Sequence, residues 1–217
     1  MKNKAFLLIL VVIILGSINE CLASHKNCSE LRGRKNFFTG YEAANPDGTV
    51  NAVIEISSGD NEKCEVKEAD GIMKCDRENG KPRIVKYLGY PTNYGMVPKT
   101  ILPKEKGGDG DPLDILVIGR QLKRGQVIKV KVIGTLKMKD RGERDDKLIA
   151  VLPGTHFDGI KNINELNQKF PGVSSIIEVW FMNYKGSGKI QTEGFGSVED
   201  AGSLLNNARE DYNMIKR

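Results

Sequence analysis

The sequence predicts an α+β chain in which a small, strongly curved, barrel-like sheet of five or more strands precedes two main helices. Segments with the two-residue alternation of half-buried strands, separated by turns rich in glycine, lie between Val50 and Leu152. After Ile163 the apolar side chains recur at helical spacing instead. The 217 residues, 39% hydrophobic and 28% charged, suit one domain with a full core.

The first 23 residues have the pattern of a secretory signal peptide. Lys2 and Lys4 precede an unbroken apolar run over residues 5–15, and the predicted cut lies between Ala23 and Ser24. The run is short for a bilayer span, so an uncleaved membrane anchor is the weaker alternative. We expect an exported protein, periplasmic or secreted, with no stable membrane span after cleavage. It would be cytoplasmic only if the signal is not used.

Residues 24–49 are polar and interrupted by glycine and proline, which predicts an N-terminal arm ahead of a single domain over residues 50–217. Cleavage of the signal leaves Cys28, Cys64 and Cys75. An odd number of cysteines in an oxidising compartment allows one bridge and one free thiol. A turn near residue 70 would place Cys64 opposite Cys75 on adjacent strands. We therefore expect this pair to be bridged, with Cα atoms roughly 4.4 to 6.8 Å apart.

The first predicted strands carry charged side chains. Residues 50–57 alternate as a half-buried strand does, and Glu55 lies on its second face. In the next strand Lys63 and Glu65 share one face, and residues 72–75 return antiparallel to it. One side of this hairpin is therefore expected to be lined with charge.

The middle of the chain alternates strands with shaped loops. Arg83 begins another short strand, and residues 90–98 combine tyrosines with two prolines, which indicates a loop of fixed shape. Residues 126–138 and 148–152 have the pattern of strands. Between them, residues 140–147 are dense in charge without an apolar period, and a solvated hairpin tip is the simplest interpretation.

Helices are predicted for the remainder of the chain. Residues 163–170 form a short helix, and residues 174–184 place apolar side chains on one core-facing stripe. Ser197 and Asp200 have the spacing of a capping box, which begins a last helix that ends near Asp211.

Three carboxylates occur within the six residues Asp109 to Asp114, which read D-G-D-P-L-D. Charges this close raise one another's pKa unless a cation neutralises them, and oxygen ligands favour Mg²⁺, Mn²⁺ or Ca²⁺. The alternative is a solvated acidic turn. The EF-hand pattern is excluded, because Leu113 and Arg120 stand at places where that loop needs ligands.

The formal charge of +5 is mildly basic. Nucleic-acid binding is nevertheless disfavoured, because the sequence has neither a long run of Lys and Arg nor an aromatic-rich stacking motif. General solubility or a small anionic substrate explains the charge better.

The D-G-D-P-x-D run, preceded by Tyr94-Gly95, resembles the signature of the family I soluble inorganic pyrophosphatases. The resemblance covers about residues 50 to 205 and continues in the family's order. Its further motifs are Leu136-Lys137-Met138-x-Asp140, Asp145-x-Lys147 and Tyr184-Lys185. It implies a five-stranded OB-like β-barrel with two main helices packed outside. It also implies a catalytic domain that hydrolyses pyrophosphate to two phosphates with several Mg²⁺ ions, for which Mn²⁺ or Zn²⁺ are possible substitutes.

The resemblance also implies a role for each matching residue. Asp111 corresponds to the catalytic carboxylate that helps to deprotonate the attacking water. The metal ligands correspond to Asp109, Asp114, Asp140, Asp145 and Glu55. The groups that hold the phosphates correspond to Lys63, Arg83, Tyr94, Lys147, Tyr184 and Lys185. Glu65 and Tyr90 match positions behind these groups.

Some features leave alternatives open. The segment from Glu65 to Arg83 is longer than in bacterial members of the family, so Lys81 or Lys86 could take the place of Arg83. Arg141 stands where many relatives have an acidic residue, and no metal contact is expected from it. The oligomer would be a hexamer, as in bacterial members, or a dimer, as in eukaryotic ones.

Two other functions compete with pyrophosphate hydrolysis. One is a secreted, metal-dependent phosphatase for organic phosphates, which related metals and cations would also serve. The other is a non-catalytic OB-like module that binds a polyanion. Such a module has no need of clustered carboxylates, which counts against it here.

Overall fold

The computed structural model describes residues 30–215, and the part from Leu31 onward forms one compact unit. The predicted signal peptide and Cys28 lie outside the described residues. The described strands are β1 (Glu30–Leu31), β2 (Val50–Ile56), β3 (Cys64–Lys67), β4 (Ile72–Cys75), β5 (Arg77–Glu78), β6 (Lys81–Pro82), β7 (Asn93–Met96), β8 (Asp114–Ile118), β9 (Val127–Asp140), β10 (Glu143–Arg144), β11 (Lys147–Val151) and β12 (Ile190–Gly196). The described helices are α1 (Ile163–Lys169), α2 (Val173–Asn183) and α3 (Val198–Ile215).

A mixed sheet forms the centre of the molecule. Strand β9 pairs antiparallel with β11, and β11 pairs parallel with β8. Strand β8 pairs with β7, β7 pairs with β2, and β2 returns to pair with the first residues of β9. These five strands therefore form a closed circuit of pairings, while β10 and β12 add to the far end of β9. The α+β prediction is confirmed as a mixed sheet with helices.

The length of β9 lets it serve two parts of this circuit. Its residues Val127–Val130 pair with β2, and its later residues pair with β11 and β12. The register against β11 shifts between Ile149 and Ala150, as a bulge produces, next to Gly134. A Cβ at Gly134 would lie 2.6 Å from the carbonyl oxygen of Gly196, so only glycine allows β12 to approach here.

Strand β2 differs from its prediction. It was expected to be half-buried, but nearly all of it is buried, and Glu55 is only 3% exposed. The hairpin of β3 and β4 covers its second face, where Val53 packs in one cluster with Cys64, Val66 and Met73.

Cys64 and Cys75 form the predicted disulfide. They are direct partners in the antiparallel register of β3 and β4. Their Cα atoms lie 3.7 Å apart, closer than the expected range. The expectation that these two strands face each other across the turn near Asp70 is confirmed.

The segment 31–49 does more than wrap the surface. It lacks long regular structure, as predicted, but Phe37 and Phe38 are 1% and 0% exposed. They belong to the same core cluster as the β3–β4 hairpin and Tyr212 of α3. Isolated aromatic residues in a polar segment carry no periodic signal, which explains why this contribution to the core was not expected.

The helices pack outside the sheet largely as predicted. Ile177, Trp180 and Phe181 of α2 are buried in one core cluster with sheet residues. The capping box of α3 is confirmed, since Asp200 N donates to Ser197 Oγ at 3.1 Å and Ser197 N donates to Asp200 Oδ2 at 2.9 Å. Three predictions were wrong: α3 continues beyond Asp211 to Ile215, β12 interrupts the predicted helical region, and strand β7 lies within residues 90–98, which were expected to form a loop. Pairing with β2 and β8 makes this tyrosine- and proline-containing segment a strand. No helix among the described residues is long and apolar enough to cross a membrane.

Candidate active site

A polar cleft of about 370 Å³ opens where several strands of the closed circuit begin or end. Asp114 begins β8, Asp140 ends β9 and Lys147 begins β11. All the predicted site residues except Arg83 line this cleft. They are Glu55, Lys63, Tyr94, Asp109, Asp111, Asp114, Asp140, Asp145, Lys147, Tyr184 and Lys185. Segments far apart in the sequence thus supply one site.

The acidic loop is fixed by its own backbone. Gly110 has φ 90°, a left-handed conformation that suits glycine, and its N–H donates to the carbonyl oxygen of Leu102 at 2.8 Å. Leu102 N in turn donates to Asp111 O at 2.9 Å, and Asp111 N donates to Asp109 Oδ1 at 3.0 Å. These bonds hold Asp109 and Asp111 at the mouth of β8, beside Asp114.

Lys147 lies buried between two carboxylates. Its Nζ donates to Asp114 Oδ2 at 2.6 Å and to Asp145 Oδ1 at 2.8 Å, and its side chain is 2% exposed. Burial opposes the charge, but these two carboxylates raise the pKa of Lys147 well above its usual value. Lys147 is therefore a fixed cation in the floor of the cleft.

Tyr94 shares the same acceptor. Its hydroxyl donates to Asp114 Oδ2 at 2.5 Å. Burial and the nearby Asp114 and Asp145 raise the pKa of Tyr94 well above its usual value, so the phenol stays protonated. It is a neutral hydrogen-bond donor beside the charged lysine.

Burial and mutual repulsion raise the pKa values of the remaining carboxylates. The pKa of Asp109 is raised to about 7, mainly by burial and also by the neighbouring Asp145, Asp114 and Asp111, although the hydrogen bond from Asp111 N opposes the shift. Burial, with Glu65 and Asp114, raises the pKa of Asp111. Burial also raises the pKa of Asp145, although Lys147 opposes the shift. Such groups gain from a bound cation.

The donor set fits a divalent metal ion. Asp140 Oδ1 is buried and has no hydrogen-bond partner among residues 30–215, while Oδ2 accepts from Lys185 Nζ. Glu55 is buried in β2, where Val66 N of β3 donates to its Oε1 at 2.6 Å, and burial together with the charge of Glu65 raises the pKa of Glu55 well above its usual value. Carboxylate oxygens are among the oxygen ligands that Mg²⁺ and similar hard cations prefer.

Aromatic packing sets the position of Tyr184. Its ring stacks on Trp180 with centroids 4.6 Å apart and planes 13° apart. Tyr90 lies behind, with its ring centroid 4.4 Å from Trp180 and 5.2 Å from Tyr94. One aromatic cluster thus positions both Tyr94 and Tyr184 in the cleft. Tyr90 belongs to this cluster and lies behind the cleft, where it was expected.

A family model described as inorganic pyrophosphatase matches residues 52–213. The chain belongs to the family I soluble inorganic pyrophosphatases. The resemblance of the Asp109 to Asp114 run is therefore confirmed.

Relatives of this pyrophosphatase family cover most of the chain. The inorganic pyrophosphatase of Xylella fastidiosa strain 9a5c is 35% identical over 169 residues, which are 75% of this chain and 89% of the relative. That of Sulfolobus acidocaldarius is 38% identical over 164 residues, 72% of this chain and 87% of the relative. The crystal structure of type I inorganic pyrophosphatase from Toxoplasma gondii superposes with a TM-score of 0.79 at 26% identity, covering 84% of this chain and 89% of that one.

Arg83, expected to hold phosphate as in other pyrophosphatases, lies outside the main cleft. It lines a neighbouring hollow of about 400 Å³ that shares Tyr184 and Lys185 with the cleft. Its Nη1 lies 3.4 Å from Asp76 Oδ2, and its side chain is 45% exposed. Of the two alternatives, Lys86 lines the same hollow, whereas Lys81 lies exposed in β6.

The cleft is also lined by residues that the sequence analysis placed elsewhere or did not assign to the site. Glu65, expected behind the site, lines the cleft itself and pairs with Lys63 Nζ at 2.7 Å. Lys67 shares the face of Lys63 and Glu65, a position from which it could have been proposed. Glu68 and Glu143 also line the cleft, and their neighbourhood follows from tertiary packing that no local pattern indicates.

Proposed function

We propose that this chain hydrolyses inorganic pyrophosphate to two phosphates in the cleft around Asp109–Asp114, with Mg²⁺ as its metal. The observation that carries the proposal is the pairing of two kinds of group in one cleft: a cluster of carboxylates and a buried cation, Lys147, 2.6 Å from Asp114. A substrate made of two phosphates with bound cations needs both kinds. Family membership points to the same reaction.

The metal ligands we propose are the carboxylates of Asp109, Asp114, Asp140, Asp145 and Glu55. Asp114 ends the acidic loop at the floor of the cleft, where Lys147 donates to its Oδ2, and in this proposal it would be shared between two ions. Divalent cations in such a site neutralise phosphate oxygens and lower the pKa of water, and Mn²⁺ or Zn²⁺ could replace Mg²⁺.

Asp111 is the proposed proton acceptor. It faces the cleft, and its raised pKa favours proton uptake from the attacking water. It stands beside the metal ligands Asp109 and Asp114 without itself being assigned to an ion. Substitutions of Asp111 and of Asp114 should therefore have different effects on activity.

The cations hold the phosphates. Lys63, Lys147 and Lys185 supply fixed positive charge, and the hydroxyls of Tyr94 and Tyr184 supply neutral donors. As the bridging bond breaks, negative charge grows on the departing phosphate, and these donors stabilise it. Arg83 would reach this phosphate from the neighbouring hollow, which borders the cleft at Tyr184 and Lys185.

The decisive experiment compares phosphate release from pyrophosphate and from ATP, with and without Mg²⁺, by the chain from Ser24. We expect pyrophosphate to be the preferred substrate and the reaction to require Mg²⁺. Equal or faster release from ATP would favour the organic phosphatase. Binding of polyphosphate without hydrolysis would favour the non-catalytic module.

We propose further that the closed circuit of β2, β7, β8, β9 and β11 is an OB-like barrel. Support comes from the return of β2 to β9, which leaves these five strands without a free edge between them. We also propose a homo-oligomer, either a hexamer or a dimer. Its mass in solution, measured by light scattering, distinguishes the two states from a monomer.

Export by the N-terminal segment is a separate proposal. The Cys64–Cys75 bridge supports it, because structural disulfides persist mainly in oxidising compartments. N-terminal sequencing of the mature protein tests it. A start at Ser24 is expected, and a cytoplasmic protein that begins at Met1 would contradict it.

A further inference from the structure

We propose that the Cys64–Cys75 disulfide positions two substrate-binding cations, Lys63 in the cleft and Arg83 in the adjoining hollow. The bridge does not touch substrate and acts only through these two residues. The inference depends on the proposed function, because it assumes that both cations bind phosphate.

Backbone hydrogen bonds link the two cations beside the bridge. Asp76 N donates to Lys63 O at 2.9 Å, Lys63 N donates to Arg83 O at 2.9 Å, and Arg83 N donates to Asp76 O at 2.8 Å. Lys63 directly precedes Cys64, and Asp76 directly follows Cys75. The disulfide therefore fastens together the two chain segments from which this set of bonds is built.

The bridge is itself fixed to the body of the molecule. Cys64 is 0% exposed and packs in a core cluster with Val53 of β2 and Met96 of β7. On the other side, Arg124 Nη1 lies 3.5 Å from Cys75 Sγ and donates to Glu62 Oε2 at 2.7 Å. The Nε of Arg124 donates to Glu55 O at 3.1 Å, so the arginine that contacts the disulfide is also bound to β2.

Between Asp76 and Arg83 the chain has little support of its own. Strands β5 and β6 form a separate two-stranded ribbon whose residues are exposed. A two-stranded ribbon is at best marginally stable alone. Two contacts consequently hold Arg83. On one side, Ile84 pairs antiparallel with Glu62 as an isolated β-bridge. On the other, Arg83 N donates to Asp76 O, and the disulfide anchors the backbone at Asp76.

Loss of the bridge should therefore affect binding more than chemistry. Lys63 and Arg83 would sample more positions, and substrate would have to order them, which weakens binding. The acidic loop and Lys147 are held by hydrogen bonds of their own, from the backbone around Gly110 and from Lys147 Nζ to Asp114 and Asp145, and should keep their arrangement. KM for pyrophosphate should rise while kcat changes little.

The test uses the full chain oxidised, the same chain reduced with dithiothreitol, and the double variant Cys64→Ser, Cys75→Ser. We expect KM to rise about tenfold on reduction and in the double variant, with kcat changed less than about threefold. Reductant should have no further effect on the double variant, which excludes a contribution from Cys28. Leu205→Ala, in a different core cluster, is the matched control for general destabilisation and should leave KM unchanged.

A second comparison tests whether the bridge acts through Lys63. Lys63→Met is introduced into the bridged and the unbridged protein. If the bridge positions Lys63, its loss should raise KM less when the side chain is already gone, so the two effects should not add. Full additivity, or an unchanged KM without the bridge, would overturn the proposal.

Hydrogen exchange provides a measurement that does not require activity. The amides of Lys63, Asp76 and Arg83 should exchange faster without the bridge, while β8 and β11 keep their protection. If the oxidised protein fails to hydrolyse pyrophosphate, the proposed function is refuted. Unchanged protection at these three amides would refute the positioning role whatever the activity.

Discussion

Lys147 neutralises part of the negative charge of the carboxylates that line the cleft. It pairs with Asp114 and Asp145 at 2.6 and 2.8 Å, and it is almost fully buried. A buried charge requires such partners, since an unpaired one would be strongly destabilising. The lysine thus offsets part of the acidic charge and offers substrate a cation that cannot move away.

Asp111→Asn tests the proposed proton acceptor. The change keeps the shape of the side chain and the metal-binding carboxylates, so substrate should still bind. Turnover should fall by roughly 10² to 10⁴, and the pH optimum should move upward because the variant depends more on hydroxide. The measurement is kcat and KM against pH at saturating Mg²⁺. Wild-type turnover at neutral pH would remove Asp111 from the mechanism.

Asp114→Asn should instead weaken metal binding. The amide oxygen can still accept from Tyr94 and Lys147, but the negative charge between the proposed ions is lost. Activity should require more Mg²⁺ and should recover in part at high concentration. Asp158→Asn removes the same charge from an exposed pair with Lys131 and is the control. The role assigned to Asp114 fails if both variants show the same Mg²⁺ dependence.

The sequence predicted most of the residues that line the cleft, but not their burial or their mutual contacts. The run Asp109–Asp114 is a local pattern with a strong resemblance, so its role could be predicted. The burial of Lys147 could not be predicted from local sequence, because its contact with Asp114 spans 33 residues and follows from the parallel pairing of β8 with β11. The place of Arg83 beside the cleft likewise depends on the ribbon of β5 and β6.

Among the elements, β7 brings Tyr94 to the cleft only because Gly95 follows it. A Cβ at Gly95 would collide with the carbonyl oxygen of Val53 in the paired strand β2. Close approach of the two backbones therefore requires glycine at this position.

Gly95→Ala should separate β7 from β2 and lower the free energy of unfolding by about 1 to 3 kcal/mol, the usual cost of overpacking. It should also shift Tyr94 and reduce activity. Denaturant unfolding measures the first effect and phosphate release the second. Gly159→Ala, where an added Cβ meets nothing within 4 Å, is the control. Equal stability of the two variants would show that β7 tolerates the added methyl group.

Strands with clear alternation or a continuous apolar run were predictable, and those defined by distant partners were not. The main parts of β2, β8, β9 and β11 follow from local pattern. Strand β12 was missed because Gly194 and Gly196 interrupt its period, and its identity as a strand comes from pairing with the end of β9. The burial of Phe37 and Phe38 has the same kind of cause, since their partners lie far along the chain.

For the molecule as a whole, the acidic cluster connects metal binding to stability. The pKa of Asp109 is about 7 in the folded protein, against about 4 for an ordinary aspartate. As pH rises through this window, the unfolded chain loses the proton first, so the metal-free folded state becomes less stable. Cations bound to the cluster should reverse this loss.

We therefore expect the unfolding midpoint of the protein in EDTA to fall between roughly pH 4 and 7, and to fall less in Mg²⁺. Asp109→Asn should reduce the pH dependence in EDTA, because one of the titrating carboxylates of the cluster is gone. Thermal unfolding followed by circular dichroism measures both effects. A midpoint in EDTA that rises over this range, or that depends on pH equally in the variant, would contradict the explanation.

The most direct test of the whole account is the rate of phosphate release from pyrophosphate as Mg²⁺ is added back to the metal-stripped protein. We predict negligible release without metal, a rise to saturation with Mg²⁺, and slow release by Asp111→Asn at every concentration. Release that persists in EDTA, or no release from pyrophosphate at any Mg²⁺ concentration, would contradict the account.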